Sequence, residues 1–289
     1  MSATGRDVTA MRRAVVLSAL GLGGTSPNPP VGCVIVAPDG DVVGEGFHER
    51  KGGPHAERNA LDAAGDRAVG ATAYVTLEPC CHHGRTPPCH QALLDSGVVR
   101  VVIGVLDPTS RGAGGAALLR EGGVKVDVGV LGEEVLVVLG TWLETLARGR
   151  PRVIWAYRQD GCGGGELPAD VLAGVRSTVD VVVGDGFVAT EGVPGAHGDF
   201  RVPQLRGEDG PVAALQAMYD GGARSVLVAG GRPLGEMFVA AGLVDEVRVW
   251  LSGPASGTPA EVAAPPPGFR VRAVQPMAGG VLVEAVNSG

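Results

Sequence analysis

Three metal-binding side chains and one carboxylate in the first third of the chain have the spacing of a catalytic zinc site. His55 and Glu57 stand two positions apart, and Cys80 and Cys89 follow with eight residues between them. One imidazole and two thiolates would leave a tetrahedral zinc ion with an open position for water, which is typical of catalytic sites. The ion would lower the pKa of that water to about 7 and make hydroxide available at neutral pH.

Glu57 is suited to proton transfer because it is close to a ligand in sequence without being needed as one. It could take a proton from the water, deliver it to a ring nitrogen, and then protonate the departing ammonia. One His, two Cys and a non-ligand Glu are the functional groups of the zinc deaminases as a class. The sequence therefore predicts hydrolytic deamination of a small nitrogen heterocycle.

Two prolines support this ligand assignment. Pro54 and Pro88 stand where a first-turn proline would start a helix, which would place His55 and Cys89 at helix N-termini. The helix dipole there would stabilise the Cys89 thiolate and disfavour protonation of His55. Both effects would keep the side chains in their metal-binding states.

A structural zinc ion in a non-catalytic scaffold is the alternative hypothesis. His82, His83 or Cys81 could in principle supply a fourth ligand. We expect the Cys81 side chain to point away from the metal that Cys80 binds, as a neighbour of the site. A strand ending in Pro-Cys, followed by a second Cys at a helix start, favours the catalytic interpretation.

Composition and charge limit the partners of the protein. The 289 residues have a formal net charge of −7 and contain no block of like charges, whereas a nucleic-acid binder usually presents a basic face. Residues 11–22 are interrupted by two arginines, are too short to span a bilayer, and precede no signal-peptide cleavage pattern. We expect an amphipathic first helix in a cytoplasmic protein that binds neither nucleic acid nor membrane.

Apolar runs that alternate with helical segments predict an α/β fold with two domains. The first domain, over residues 1–148, is expected to have three α/β/α layers, with strands near 31–36, 41–47, 72–78, 98–107 and 124–130 and a last helix over 132–147. The second and smaller domain is expected over 151–289. Its four strand candidates are RVIWAY, VDVVVGDG, RSVLVAGG and DEVRVWL, and 192–212 is expected to be a loop.

Longer motifs resemble the deaminase of riboflavin biosynthesis over about residues 10–130. They are TSPNPPVGCVIV (25–36), GEGFHERKGGPHAE (44–57), GATAYVTLEP (70–79) and LEPCCHHGRTPPC (77–89). Nucleoside and nucleic-acid deaminases mostly use a compact PCxxC instead. The resemblance implies a cytidine-deaminase-like first domain, and a diaminohydroxyphosphoribosylaminopyrimidine deaminase is usually fused to a reductase that follows it. The family has Ser at the position of Cys81.

The resemblance also implies one zinc ion per chain and a pyrimidine ribosyl phosphate as substrate. That substrate would be 2,5-diamino-6-ribosylamino-4(3H)-pyrimidinone 5′-phosphate or a close relative. Asn28 would contact the pyrimidine, and His48, His82 and Arg85 would line the pocket near the ribosyl phosphate, where cationic donors are needed. The alternatives are a turn role for Asn28, a loop-capping role for His48 and a solvated Arg85.

The second domain resembles a dihydrofolate-reductase-like NADPH-dependent reductase. The resemblance implies cofactor contacts at Asp160, Gly230 and Gly231. Several expected polar positions differ, however, and carry Arg158, Phe187, Glu191 and Ala229. We expect a truncated, degenerate reductase domain that is retained for folding or for homodimerisation.

Two alternatives remain open for the function. The first is a bifunctional deaminase and NADPH-dependent 5-amino-6-(5-phosphoribosylamino)uracil reductase. The second is a deaminase recruited to a specialised-metabolite pathway.

Overall fold

The computed structural model describes residues 3–82, 87–109, 113–159, 167–196, 201–204, 210–252, 265–277 and 279–288. The chain divides into two compact units, Met1–Leu143 and Glu144–Gly289. The sequence placed the boundary at 148–152, but the unit boundary lies inside the last helix of the first unit. No helix in the described ranges is long and apolar enough to cross a membrane.

The first unit is a five-stranded sheet with helices on both faces. Its elements are α1 (Gly5–Ala19), β1 (Gly32–Val36), β2 (Val42–Phe47), α2 (Ala56–Ala64), β3 (Thr72–Leu77), α3 (Cys89–Asp95), β4 (Arg100–Val105), α4 (Gly115–Glu121), β5 (Lys125–Val128) and α5 (Gly132–Arg148). The strand order is β2-β1-β3-β4-β5. Strand β1 is antiparallel to both of its neighbours, and β3, β4 and β5 are parallel.

Alternation along the central strands produces two cores, because successive side chains point to opposite faces of a sheet. Cys33 and Ile35 of β1 pack with residues of α2, α3 and α4, whereas Val34 and Val36 pack with α1 and α5. Five consecutive buried residues in β1 therefore reflect burial on both faces. The predicted three-layer α/β/α arrangement is confirmed for this unit.

Helix α2, which begins beside His55, lies directly on the backbone of β2. A Cβ atom at Gly46 would lie 2.5 Å from the carbonyl oxygen of Ala56, and one at Gly44 would overlap the carbonyl oxygen of Ala60. Any side chain at these two positions would push the helix away from the sheet. Two glycines of β2 thus set the distance at which α2 presents its N-terminus.

The second unit is a seven-stranded mixed sheet. Its elements are β6 (Arg152–Gln159), α6 (Ala169–Arg176), β7 (Val181–Val183), β8 (Ala189–Glu191), α7 (Gly210–Asp220), β9 (Ser225–Val228), α8 (Arg232–Ala240), β10 (Glu246–Ser252), β11 (Phe269–Met277) and β12 (Gly280–Asn287). The strand order is β11-β12-β10-β6-β9-β7-β8. Helices α7 and α8 cover one face of the sheet, and α6 covers the other.

All four strands predicted for the second unit are present, but the sequence analysis missed β8, β11 and β12. Strand β11 has a register shift between Val271 and Ala273, where it pairs with β12. A bulge of this kind places two successive residues on one side and breaks the period of two. Apolar and polar residues alternate over FRVRA, and the alternation ends where Val274 directly follows Ala273.

Candidate metal centre

Three side chains from separate elements converge at one end of the first unit. His55 Nδ1 lies 3.6 Å from Cys80 Sγ and 3.3 Å from Cys89 Sγ. The three ligand atoms all lie within 4.8 Å of one another, and no other such group of His, Cys, Asp or Glu occurs among the described residues. Zinc bond lengths of about 2.3 Å to sulfur and 2.1 Å to nitrogen place tetrahedral ligands at comparable separations. This donor set fits Zn²⁺.

The two helix N-termini are where the sequence placed them, but the prolines are not in the first turns. Helix α2 begins at Ala56 with His55 as its N-cap, and α3 begins at Cys89 with Pro88 as its N-cap. Pro88 has a φ of −56°, which a helix would accept, but its ψ of 145° is that of extended backbone. Pro88 therefore precedes the first helical residue. The prediction of first-turn prolines was therefore wrong by one or two positions.

Contacts among the three side chains shift their pKa values. The Cys89 amide donates a hydrogen bond to Cys80 Sγ at 3.4 Å. Hydrogen bonds from Cys89 and His55 lower the pKa of the Cys80 thiol, whereas the Cys80 contact and burial raise the pKa of Cys89. The pKa of His55 is raised, chiefly by its hydrogen bond to Cys80. Both predicted dipole effects are thus contradicted, since the pKa of Cys89 is raised where a stabilised thiolate was predicted, and the pKa of His55 is raised where its protonation was expected to be disfavoured. The direct contact with Cys80 is the largest cause of both shifts, and burial adds to the shift of Cys89.

Glu57 lies in the first turn of α2 and is 3% exposed. Burial raises the pKa of its carboxyl group, and the positive charge of His55 opposes that shift. A carboxyl group whose pKa moves toward neutrality can both accept and return a proton. Its position two residues after His55 brings this group to the same end of the helix as the metal ligand.

Asn28 and His48 form a hydrogen-bonded pair next to the metal ligands. His48 Nδ1 lies 2.9 Å from the Pro54 carbonyl oxygen, so this nitrogen is the donor, and Nε2 accepts from Asn28 Nδ2 at 3.2 Å. The His48 ring is 2% exposed, and its edge faces the His55 ring at a centroid distance of 5.3 Å. Burial lowers the pKa of His48. A contact between His48 and a ribosyl phosphate would require this pair to open.

The remaining predicted residues are placed only in part. His82 is half-buried at the start of the loop that joins Cys80 to Cys89. Arg85 in that loop and Asp160 in the second unit lie outside the described residues. Gly230 and Gly231 form the turn before α8, with Gly231 as the N-cap of that helix.

Glu78 is a structural residue of the site that the sequence analysis did not identify. Its side chain is 7% exposed and accepts hydrogen bonds from the amides of Asp107, Gly114 and Ala116 at 3.2, 3.1 and 2.9 Å. Two of these amides belong to the N-terminus of α4, so the carboxylate also caps that helix. An acidic residue two positions before a Cys ligand was a possible signal of this role.

The segment after Glu78 is held against the same helix. A Cβ atom at Gly115 would overlap the carbonyl oxygen of Pro79, so α4 and the strand end are in backbone contact. Cys81 Sγ donates to the Ala113 carbonyl oxygen at 2.9 Å. Cys81 thus faces α4 and is not part of the ligand group, as the sequence analysis expected. Together these contacts fix the backbone on both sides of Cys80.

Family models match both units. Residues 5–105 match the cytidine and deoxycytidylate deaminase zinc-binding region, and residues 201–276 match the RibD C-terminal domain. The former match contains the metal ligands and Glu57. The latter lies within the second unit.

Individual relatives are similar to about half of this chain in sequence. A diaminohydroxyphosphoribosylamino-pyrimidine deaminase of Buchnera aphidicola subsp. Schizaphis graminum is 50% identical over 130 residues, which are 45% of this chain and 88% of that protein. The riboflavin biosynthesis protein RibD of Actinobacillus pleuropneumoniae is 49% identical over 158 residues, or 54% of this chain and 42% of that protein. The chain thus matches less than half the length of that longer relative.

The solved structure of a deaminase/5-amino-6-(5-phosphoribosylamino)uracil reductase from Thermotoga maritima is similar along the whole chain. It superposes with a TM-score of 0.75 at 28% identity and covers 98% of this chain and 99% of that one. The mixed α/β architecture, with a deaminase-like first unit and a reductase-like second unit, agrees with the fold predicted from the sequence.

We expect Glu78→Gln to destabilise the backbone around Cys80 and to weaken zinc retention. The glutamine would present an NH₂ group to backbone amides that now share a carboxylate, and each buried amide left without an acceptor costs about 1–3 kcal/mol. The variant should unfold at a lower temperature and release zinc to a chelator faster than the unchanged protein. Glu121→Gln, at the exposed end of the same helix, is the matched control. Equal zinc release from both variants would show that Glu78 does not hold the ligand segment.

Proposed function

Because this chain belongs to the family of riboflavin-biosynthesis pyrimidine deaminases, we propose that its first unit catalyses zinc-dependent hydrolytic deamination. The proposed substrate is 2,5-diamino-6-ribosylamino-4(3H)-pyrimidinone 5′-phosphate or a close relative. The observation that carries the proposal is the convergence of His55, Cys80 and Cys89 within 4.8 Å, with the buried Glu57 on the same helix end. The similarity to the Buchnera deaminase, which extends over 88% of that protein, supports the same assignment.

His55, Cys80 and Cys89 would hold one Zn²⁺ per chain, and the bound ion would supply Lewis acidity that activates a water molecule. Glu57 would accept a proton from that water. It would pass this proton to the ring nitrogen while the remaining hydroxide adds to the ring carbon that bears the amino group. Glu57 would then move a second proton, from the added hydroxyl group, to the amino group, which leaves as ammonia when the C–N bond breaks. Its burial keeps solvent away from this proton transfer and raises its pKa, which makes the carboxyl group a better base.

The pair of Asn28 and His48 would orient the pyrimidine. The neutral His48 ring accepts a hydrogen bond from the Asn28 amide nitrogen, which fixes the orientation of the carboxamide and leaves its oxygen as the group available to an exocyclic amine. We therefore assign His48 to the positioning of Asn28. His82 and Arg85 are the residues proposed to lie near the ribosyl phosphate, for which Arg85 offers a bidentate cation.

The second unit leaves a second candidate function to consider. The match of residues 201–276 to the RibD C-terminal domain and the similarity to a deaminase/reductase structure favour a bifunctional enzyme. We propose instead that residues 1–148 form the active deaminase domain and that residues 151–289 form a degenerate reductase domain. A deaminase recruited to a specialised-metabolite pathway would have the same two-domain organisation.

We also propose that the second domain forms a homodimer through the edge of its sheet. Val271 and Val274 of β11 pair with Ala285 and Val283, which are both buried, and Val283 belongs to the core on the face covered by α7 and α8. The apolar face therefore continues onto the edge strand, where Val271 and Val274 are 44% and 59% exposed. Exposed apolar continuations of a core are typical of subunit interfaces.

Light scattering during size-exclusion chromatography tests this dimer. The chain has a mass of 29.2 kDa, so light scattering should give twice this mass for the unchanged protein. Val274→Lys should shift the population toward the monomer, because dimerisation would bury a charge in the interface. Val137→Lys, at a position 81% exposed in the first unit, should leave the mass unchanged. A monomeric unchanged protein, or an unaltered dimer with Lys at position 274, would contradict the proposal.

Replacement of single cysteines separates ligands from neighbours. Cys80→Ser and Cys89→Ser should lose the zinc ion and the deaminase activity, because a serine hydroxyl is a poor substitute for a thiolate ligand. Cys81→Ser should retain one zinc ion per chain, since its sulfur contacts Ala113. Plasma emission spectrometry of the purified proteins measures the zinc content. Loss of zinc from Cys81→Ser would mean that the ligand set is larger than proposed.

Glu57→Ala tests the proton-transfer step. Ammonia release from the ribosylaminopyrimidine phosphate should fall by about 10²–10⁴-fold because the positioned acid–base group is removed. The zinc content should remain that of the unchanged protein, which distinguishes lost chemistry from lost metal. Glu121→Gln again serves as the control that keeps full activity. A Glu57→Ala enzyme with undiminished turnover would remove Glu57 from the mechanism.

A further inference from the structure

The turn formed by Gly230 and Gly231, at which the sequence analysis expected a cofactor phosphate, is occupied by a side chain of the protein. Asp185 Oδ1 accepts a hydrogen bond from the Gly231 amide at 2.9 Å. The same oxygen fills the space beside Gly230, where a Cβ atom would lie 2.5 Å from it. A carboxylate thus stands at the backbone amide that a phosphate oxygen would need.

The N-terminus of α8 has few other amides to offer an anion. Pro233 lies in its first turn and has no N–H group. The amides of Leu234 and Gly235 donate to the Gly231 carbonyl oxygen, at 3.1 and 3.5 Å. Phosphate binding at a helix N-terminus depends on free amides that point at the ligand. The first turn of α8 therefore has few free amides to offer a phosphate. The negative charge of Asp185 is a second obstacle.

A buried aromatic ring holds Asp185 in this position. Asp185 begins a short 3₁₀ turn that ends at Phe187, whose φ of 58° lies in the left-handed region that side chains rarely adopt. The Phe187 ring is 5% exposed and stacks on Phe238 of α8, with ring centroids 6.1 Å apart. The packing of Phe187 against α8 compensates for the unfavourable backbone conformation. The same packing brings the preceding carboxylate to the start of that helix.

The adjoining cavity of about 290 Å³ provides little positive charge. Most of its lining is apolar, as at Leu167, Leu172 and Val188, and its one described cationic side chain is Arg176. Arg176 Nε donates to the Gly192 carbonyl oxygen, and Nη2 lies within hydrogen-bond distance of Glu191 O and Thr190 Oγ1. This guanidinium is therefore engaged by the chain itself. The described lining of this cavity does not fit the diphosphate of NADPH, which calls for convergent cationic or amide donors.

We infer that Asp185 acts as an internal anion that occupies the Gly230–Gly231 turn and prevents the second unit from binding NADPH through its phosphates. The carboxylate satisfies the Gly231 amide and repels a second negative group at the same place. This inference concerns the second unit and is independent of the deamination proposed for the first unit. It predicts that loss of the charge, without loss of the acceptor oxygen, exposes a weak phosphate site.

Calorimetric titration of the intact chain with NADPH at low ionic strength tests this inference. Asp185→Asn keeps an oxygen that can accept from Gly231 and removes only the charge, whereas Asp185→Gly removes both the charge and the side chain that fills the turn. We expect no saturable heat with the unchanged protein and saturable binding with both variants, at an affinity at least fivefold above the weakest that the titration can detect. Asp220→Asn, at the end of α7, changes the net charge equally and should behave like the unchanged chain.

Two results would overturn the inference. One is saturable NADPH binding by the unchanged protein with an affinity that Asp185→Asn does not improve. The other is the absence of binding by the unchanged protein and by both variants, which would show that Asp185 is not what excludes the cofactor. Zinc content and ammonia release, measured on the same samples, show separately whether the first unit is intact. Failure of the deaminase proposal would therefore be seen independently of the NADPH result.

Discussion

The arrangement of the first unit depends on the approach of two helix N-termini to the end of one strand. His55 precedes α2, Cys89 begins α3, and Cys80 follows β3, so no two ligands share an element. Their ligand atoms nevertheless lie within 4.8 Å. Small residues permit this approach, since Gly44 and Gly46 admit α2 onto β2. An added methyl group at either glycine would push α2 away from β2. This shift would move His55 away from the two cysteines, although all three side chains must bind the same ion.

The same constraint explains why polar groups near the site are held by backbone atoms. Glu78 accepts from three amides, and the Pro54 carbonyl oxygen fixes the His48 ring. Backbone partners on short connections allow little rotation, so they restrict where a functional group can move. Glu78 binds the loop after β4 and the start of α4 to the strand end that carries Cys80. The buried carboxylate of Glu78 thus helps to fix the position of Cys80 without contacting its sulfur atom.

The sequence was sufficient to predict features that depend on local patterns. The convergence of His55, Cys80 and Cys89 and the strands of the first unit follow from residue type, spacing and apolar runs, because neighbouring residues determine helix starts and buried strands. The roles of Glu78 and Asp185 depend on partners 29 to 46 residues away along the chain, which no local pattern reveals. Strand β11 was missed although apolar and polar residues alternate over its first five positions, because this run is short and ends at Ala273. The protonation of His55 was mispredicted because a contact between side chains outweighed the helix dipole.

The two units differ in how their polar groups are satisfied. In the first unit, the thiols of Cys80 and Cys89 and the imidazole of His55 have mainly one another as partners, which leaves lone pairs that converge on a common point. In the second unit, the carboxylate of Asp185 and the guanidinium of Arg176 are bound to backbone groups of their own chain. A site whose hydrogen-bonding capacity is already used internally must break those bonds before it can bind a ligand, and that cost reduces affinity. On the inference drawn above for Asp185, the second unit keeps a reductase-like fold while these two polar groups serve its own stability, since a fold can be retained without the activity found in its relatives.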